Sequence, residues 1–183
     1  MAVGAVPTTA EELLRMPRGR WRRELVRGEL RVMEPTGIEH GRIALIAGGV
    51  LLAHVRKTGS GVVLGAETGF VLASDPDTVR APDAAFISQE RFDRIGSTTK
   101  YWPEAPDFAI EVLSPGDRPG EVRKKLREWL AAGTIAVVVL DPAEQTATVH
   151  RNRREAWVHG SEDTLDLSDA VPDFHPTVAE LFG

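Results

Sequence analysis

The sequence predicts an α/β fold, or an α+β-like variant of it, built on a mixed β-sheet. Three observations carry that reading. Asp107 to Asp141 reads as a strand–helix–strand unit, which makes its two strands parallel neighbours. Ile135 to Asp141 (IAVVVLD) is a continuous apolar run, the pattern of a strand buried on both faces. Most other strands precede this crossover and follow one another closely, as antiparallel strands do.

Taken in order, Thr8 or Thr9 caps a short helix carrying Leu13 and Leu14, and Pro17 ends it. Trp21 to Met33 reads as a hairpin, RRELV and ELRVM, turning at Arg27-Gly28. Pro35 to Gly37 leads into a long helix from about Glu39 to Lys57. Its His40, Ile43, Ala47, Val50, Leu51 and His54 share one face, and Gly48 and Gly49 suggest close packing on a sheet. Three strands follow, Gly61–Ala66, Thr68–Ala73 and Ala84–Ser88, with a loop over Ser74–Pro82 between the last two. Pro82 biases Ala81 toward an extended conformation and lets Asp83 open the third strand. Gln89 to Pro106 gives a short helix and a loop.

The stretch Asp107 to Trp129 organises the rest. Side chains alternate along a strand, so Phe108, Ile110 and Val112 take one face, and Asp107, Ala109, Glu111 and Leu113 the other. Ser114 to Asp117 breaks the strand, and a helix follows with Asp117 as N-cap and Gly133 as its stop. Val122, Leu126, Trp129 and Leu130 form its apolar stripe. At about 100° per residue, Lys125 lies at the stripe's edge beside Trp129, whereas Lys124 points to solvent. Thr146–His150 and Ala156–His159 make a closing hairpin, and Val178–Phe182 a last short helix. One domain over 1–183 is expected, with a helical segment at 1–20 and an acidic tail at 161–183.

Composition bounds the function. There is no cysteine among the 183 residues, so disulfides, Cys-based zinc sites and thiol nucleophiles are excluded. MAVGAVPTT is not a signal peptide, and the most apolar stretch, Ile43 to Ala53, is too short to span a bilayer, so a cytoplasmic protein without membrane contact is expected. The net charge of −5 hides an asymmetry: residues 161–183 hold six acids and no Lys or Arg, leaving 22 basic and 21 acidic residues before them. Basic clusters at Arg15–Arg31, Arg118–Arg127 and Arg151–Arg154 suit either phosphates or a solvated surface.

Two carboxylates stand out by position. Asp83 starts one strand and Glu111 lies in another, and as neighbours the pair would suit a hard divalent ion completed by waters. Lys125 at the same edge would orient or deprotonate a water, or stabilise a developing charge. The plainer alternatives are a turn Asp, a Glu paired with arginine and a snorkelling lysine. His54, His150, His159 and His175 lack metal-ligand spacing. The glycines at 59–61 and 116–120 form no phosphate loop, and no Gly-x-Ser-x-Gly elbow is present. Asp107 and Asp141 read as capping or turn residues, and Glu67 as a weak third carboxylate.

An ordered set of motifs carries a family resemblance. Pro82-Asp83, Glu111-Val112-Leu113-Ser114-Pro115, Glu121-Val122 with Lys125, Trp129 to Gly133 and Leu140-Asp141-Pro142 resemble the Uma2 restriction-endonuclease family of the PD-(D/E)xK nuclease superfamily. Glu24 to Leu30, Met33-Glu34-Pro35 and His40 extend the likeness, which spans Arg22 to Arg151. It implies a restriction-endonuclease-like core, a central mixed sheet flanked by helices. It also implies that Asp83 and Glu111 ligate Mg²⁺ or Mn²⁺, with the Val112 carbonyl as a third ligand. Leu113 stands where the superfamily pattern has lysine, and Lys125 on the following helix takes that place. Glu24 and His40 match further family positions near the same cleft, Glu24 as another acid and His40 as a phosphate or water contact.

The expected function is a metal-dependent endonuclease cutting phosphodiester bonds, in DNA ahead of RNA, and acting as a homodimer by analogy. The alternative is a catalytically degenerate binding module on the same fold, favoured by the acidic balance and Leu113. A hydrolase of small phosphorylated metabolites would use the same site.

Overall fold

The structure, a computed structural model, describes residues 9–17, 21–151 and 156–183. Thr9 opens helix α1 (Ala10–Arg15). Its hydroxyl accepts from the Glu12 amide while the Glu12 carboxylate accepts from the Thr9 amide. Strands β1 (Arg22–Val26) and β2 (Glu29–Met33) form the expected hairpin, with Arg27 and Gly28 both at positive φ. Helix α2 (Ile38–Thr58) stops on Gly59 in the left-handed region. Then come β3 (Gly61–Gly65), β4 (Phe70–Ala73), β5 (Thr78–Arg80), β6 (Ala84–Ser88) and α3 (Gln89–Ile95). The strand–helix–strand unit is β7 (Phe108–Val112), α4 (Pro119–Ala131) and β8 (Ala136–Asp141), followed by β9 (Thr146–Arg151), β10 (Trp157–His159) and α5 (Val178–Phe182).

The large sheet runs β10-β9-β8-β7-β6-β3. Among the described residues of this sheet, only β7 and β8 pair in parallel, across the α4 crossover, so the mixed sheet is present as expected. The apolar run of β8 divides between two cores. Ala136, Val138 and Leu140 face α2 and α5, while Val137 and Val139 lie on the α4 side. In β7, Phe108, Ile110 and Val112 join the first core, which leaves Glu111 on the α4 side.

Four local expectations need correcting. The loop Ser74–Pro82 contains β5, which joins β1 and β4 in a second, antiparallel sheet of order β2-β1-β5-β4. Three residues are too few for alternation to show between the turn-forming Asp75, Pro76, Asp77 and Pro82. The N-cap of α4 is Arg118, not Asp117; Pro119 occupies the first turn, and Asp117 instead accepts from the Ser114 amide at 2.8 Å. Sheet packing does not explain Gly48 and Gly49. A Cβ on Gly48 would meet only the Ala84 Cβ, at an ordinary 3.5 Å, and one on Gly49 meets nothing within 4 Å. Finally, the acidic segment 161–183 is no loose tail, because Leu165, Leu167, Val171, Phe174, Val178 and Leu181 fill the first core. Of the Arg151–Arg154 cluster, residues 152–154 lie outside the described residues, as do Thr8 and all seven residues before it.

Helix α2 has the length and composition of a membrane span. Its Ile43, Ala47, Leu51 and Val55, however, are buried in the first core.

The small sheet positions a second set of charges. Leu25 pairs with Val79 and both pack on Leu13. Alternation then turns Arg22, Glu24 and Arg80 to the opposite face, where Glu24 and Arg80 meet.

Candidate active site

Asp83 sits immediately before β6, held by its neighbour β7. Its amide donates to the Ile110 carbonyl at 3.0 Å, and its Oδ2 accepts from the Val112 amide at 2.9 Å. Two basic side chains complete its surroundings. Arg22 Nη1 from β1 lies 3.3 Å from Oδ1, and His40 Nε2 from the first turn of α2 lies 3.3 Å from Oδ2. The Val112 carbonyl leaves β7 on the same edge as its amide, because the N–H and C=O of one strand residue point the same way.

Glu111 is buried on the neighbouring strand, and both of its oxygens are engaged by α4. Lys125 Nζ donates to Oε2 at 2.7 Å, and Trp129 Nε1 donates to Oε1 at 2.8 Å. Lys125 and Trp129 are four residues apart, so one helical face delivers both. The sequence placement of Lys125 over Lys124 therefore corresponds to a contact.

Glu24 is deeply buried, not a surface hairpin glutamate. It accepts from Arg80 Nη1 at 2.6 Å and from the Ala81 amide at 3.1 Å, and it lies 3.9 Å from Lys125 Nζ. Arg80 in turn donates to Glu128 on α4. The fold thus gathers Glu24, His40, Asp83, Glu111 and Lys125 with the end of β7. Glu67, by contrast, is exposed in a turn at positive φ. Asp107 anchors Arg91 and the Ser88 amide, and Asp141 caps the turn after β8.

The Uma2 family model, described as "Putative restriction endonuclease", matches residues 10–179. The chain belongs to the Uma2 family. A solved structure described as "a putative nuclease belonging to DUF820", from Anabaena variabilis ATCC 29413, is similar in fold. Its TM-score is 0.83 at 23% identity, over 96% of this chain and 98% of that one. No curated protein matches the chain.

Four residues of this Uma2 site escaped the sequence reading: Arg22, Arg80, Glu128 and Trp129. Arg22 shares a strand face with Glu24, and Trp129 follows Lys125 by one turn, so period alone implicated both. Arg80 was hidden by the unseen β5, and Glu128 with it.

Electrostatics follow from this crowding. Burial alone would raise Asp83, but the bond to His40, the Val112 amide and the charge of Lys125 outweigh it and hold the carboxyl at about 2. His40 is raised above its ordinary value, chiefly by its bond to Asp83 and against the effect of burial. Burial would likewise raise Glu24, yet Lys125 and Arg80 bring it below the usual carboxylate value. Glu111 moves up: burial and the nearby Asp83 and Glu24 carboxylates overcome Lys125. Lys125 is raised too, because Glu111 and Glu24 overcome its desolvation.

The donor set suits a hard divalent ion with few protein ligands. Among the described residues, no three His, Cys, Asp or Glu side chains converge as a metal cage. Mg²⁺ characteristically takes one or two carboxylates and keeps several waters, and Asp83 and Glu111 with the Val112 carbonyl offer that. Arg22 Nε and His40 Nδ1, on the two side chains that flank Asp83, are buried without hydrogen-bond partners.

Proposed function

We propose that this Uma2 protein is a metal-dependent endonuclease that hydrolyses phosphodiester bonds, DNA before RNA. The observation that carries the reading is the Lys125–Glu111 contact at 2.7 Å. It supplies from helix α4 the lysine that Leu113 lacks, beside the Asp83 and Glu111 pair. Asp83, Glu111 and the Val112 carbonyl would hold Mg²⁺ or Mn²⁺, which when bound polarises the scissile phosphate and acidifies the attacking water.

The chain's own groups supply the rest. Lys125, kept as an ammonium by Glu111 and Glu24, donates hydrogen bonds and positive charge rather than accepting a proton. Glu24, itself held by Arg80, lies 3.9 Å from Lys125 Nζ and helps to keep it in place. Trp129 fixes the carboxylate plane of Glu111. His40 and Arg22, both set against Asp83, would contact a phosphate oxygen or order a water. The expected setting is cytoplasmic, and cutting both strands of a duplex with one site per chain calls for a homodimer.

The test is cleavage of circular and linear DNA and of RNA with Mg²⁺ and Mn²⁺, comparing wild type with Asp83→Ala, Glu111→Gln and Lys125→Ala from matched preparations. Metal-dependent cutting lost in all three variants supports the reading. Cutting that survives Asp83→Ala places the chemistry elsewhere. No cutting, together with no metal-induced rise in melting temperature, favours a degenerate binding module.

A further inference from the structure

A cleft of about 610 Å³ opens between α2 and β3, and one end of it is the candidate active site. Arg22, His40 and Asp83 line that end. Glu111 and Lys125 do not line the cleft, so it leads away from them along the helix. Beyond Asp83 the walls are apolar, with Ala44, Leu45 and Leu52 on α2 and Val63 and Leu64 on β3. Leu45 is 78% exposed, which leaves its side chain to whatever enters.

Glycine shapes the helical wall. Gly41, Leu45 and Gly49 follow one another by four residues and Leu52 follows Gly49 by three, so all four share one face. Glycine weakens a helix interior relative to alanine. Packing does not account for Gly41 or Gly49, since a Cβ at either would meet none of the described residues within 4 Å. What the two glycines provide is a flat stretch of wall, open to a planar ring lying against the helix.

We infer that this cleft receives one unpaired nucleoside of the substrate, next to the phosphate held at Asp83. The inference rests on the nuclease reading and names its substrate more closely, as a strand unpaired beside the cut. Continuity selects this occupant first: the cleft begins at Arg22, His40 and Asp83, so a group lying in it is bonded to the phosphate there. Size agrees. Pockets of roughly 300–1,000 Å³ suit a small molecule, whereas a duplex, whose major groove alone is about 12 Å wide, does not enter. Charge agrees as well. Apart from Arg22 and His40, the charged side chains that line the cleft are Glu34, Glu67 and Asp83, all acids. Carboxylates repel a phosphate backbone and accept hydrogen bonds from base amino groups. Apolar walls suit the face of a base. A paired base would first have to leave its stack, at a cost in unstacking and unpairing, so single strands are the preferred substrate. A lipid is the poorer occupant, because the same three carboxylates border the cleft.

The test compares a single-stranded oligodeoxynucleotide with the blunt duplex of the same sequence. Cleavage by the full chain is measured with Mn²⁺, and binding without turnover by fluorescence anisotropy in the Asp83→Asn background, which lacks a metal ligand. The single strand is expected to bind about tenfold more tightly than the duplex, or better. Gly49→Leu fills the cleft and is expected to weaken single-strand binding about tenfold, to raise KM more than it lowers kcat, and to melt no lower than wild type. Leu45→Asp, at a position already exposed, makes the same test with charge in place of bulk. A duplex bound and cut as well as the single strand, or either variant binding the single strand like its parent, overturns the inference and leaves the nuclease reading standing. No binding or cutting of either nucleic acid fails the nuclease reading, and the inference with it. Thymidine monophosphate binding as tightly as the oligonucleotide, and lost in Gly49→Leu, assigns the cleft to a free nucleotide and overturns the strand.

Discussion

Lys125 on α4 reaches Glu111 on β7 at 2.7 Å while Trp129, one turn along the same helix, holds the other oxygen of that carboxylate at 2.8 Å. Strand and helix therefore form one unit at the end of the sheet. The acid sits on the strand face that looks at α4, and the helix presents a cation and a neutral donor to it.

Removing the cation tests how far that unit holds the fold together. Lys125→Met leaves Glu111 and Glu24 buried with less compensating charge. Breaking a buried pair from one side costs on the order of 3–5 kcal/mol. Urea denaturation of the metal-free protein at neutral pH is expected to show a loss near the lower end, since the Lys125 side chain keeps some exposure. A variant as stable as wild type would mean that the pair is incidental.

Asp83 gives a pH-dependent version of the same test. Its folded pKa of about 2 lies below its ordinary 3.8. A depressed carboxyl stabilises the fold above the unfolded pKa, and that contribution fades as pH falls from about 4 toward 2. The difference is worth about 2.5 kcal/mol. Asp83→Asn is therefore expected to be less stable than wild type by about that amount at pH 7, with the two curves converging as the solution is acidified below pH 4. Parallel curves across that window would remove Asp83 as the ionised partner of His40 and Arg22.

What could be read in advance followed from periodicity. The strand–helix–strand unit, the two faces of β7 and the position of Lys125 all come from repeats of two and 3.6 that extend over several residues. Glu24 and His40 were found by resemblance, and their burial was not foreseeable, since a hairpin glutamate is normally solvated. The missed pieces are short or indirect. β5 has three residues between turn formers, so Arg80 and its bridge from Glu24 to Glu128 had no visible scaffold. Gly48 and Gly49 had suggested close sheet packing, yet a Cβ at either would meet nothing nearer than 3.5 Å.

His40 reports on the site without any reaction. Its bond to Asp83 raises its pKa above 6.5, against the effect of burial. A raised histidine stabilises the fold below the unfolded pKa, and this is lost as pH rises through the folded one. In a proton NMR titration, the His40 ring is expected to titrate above 6.5, and to move back down in Asp83→Asn. A His40 that titrates at the same pH in both proteins would show that the 3.3 Å contact carries no charge.

Trp129 separates packing from polarity. It is fully buried and meets Phe70 edge-on at 6.0 Å, so Trp129→Phe removes volume as well as the indole N–H. The packing part is insensitive to Glu111. The polar part is not, because Glu111 Oε1 loses its helix donor while still buried, at a cost of about 1–3 kcal/mol. A double-mutant cycle with Glu111→Leu, which removes the acceptor, isolates it. Destabilisation by Trp129→Phe is expected to be larger in wild type than in the Glu111→Leu background, by about 1 kcal/mol or more. The same variant frees the carboxylate to rotate away from Asp83. Metal-dependent cleavage is then expected to fall through the maximal rate rather than through substrate affinity, since Trp129 is buried beneath Glu111. Additive stabilities would reduce Trp129 to a core residue, with Lys125 alone orienting the acid.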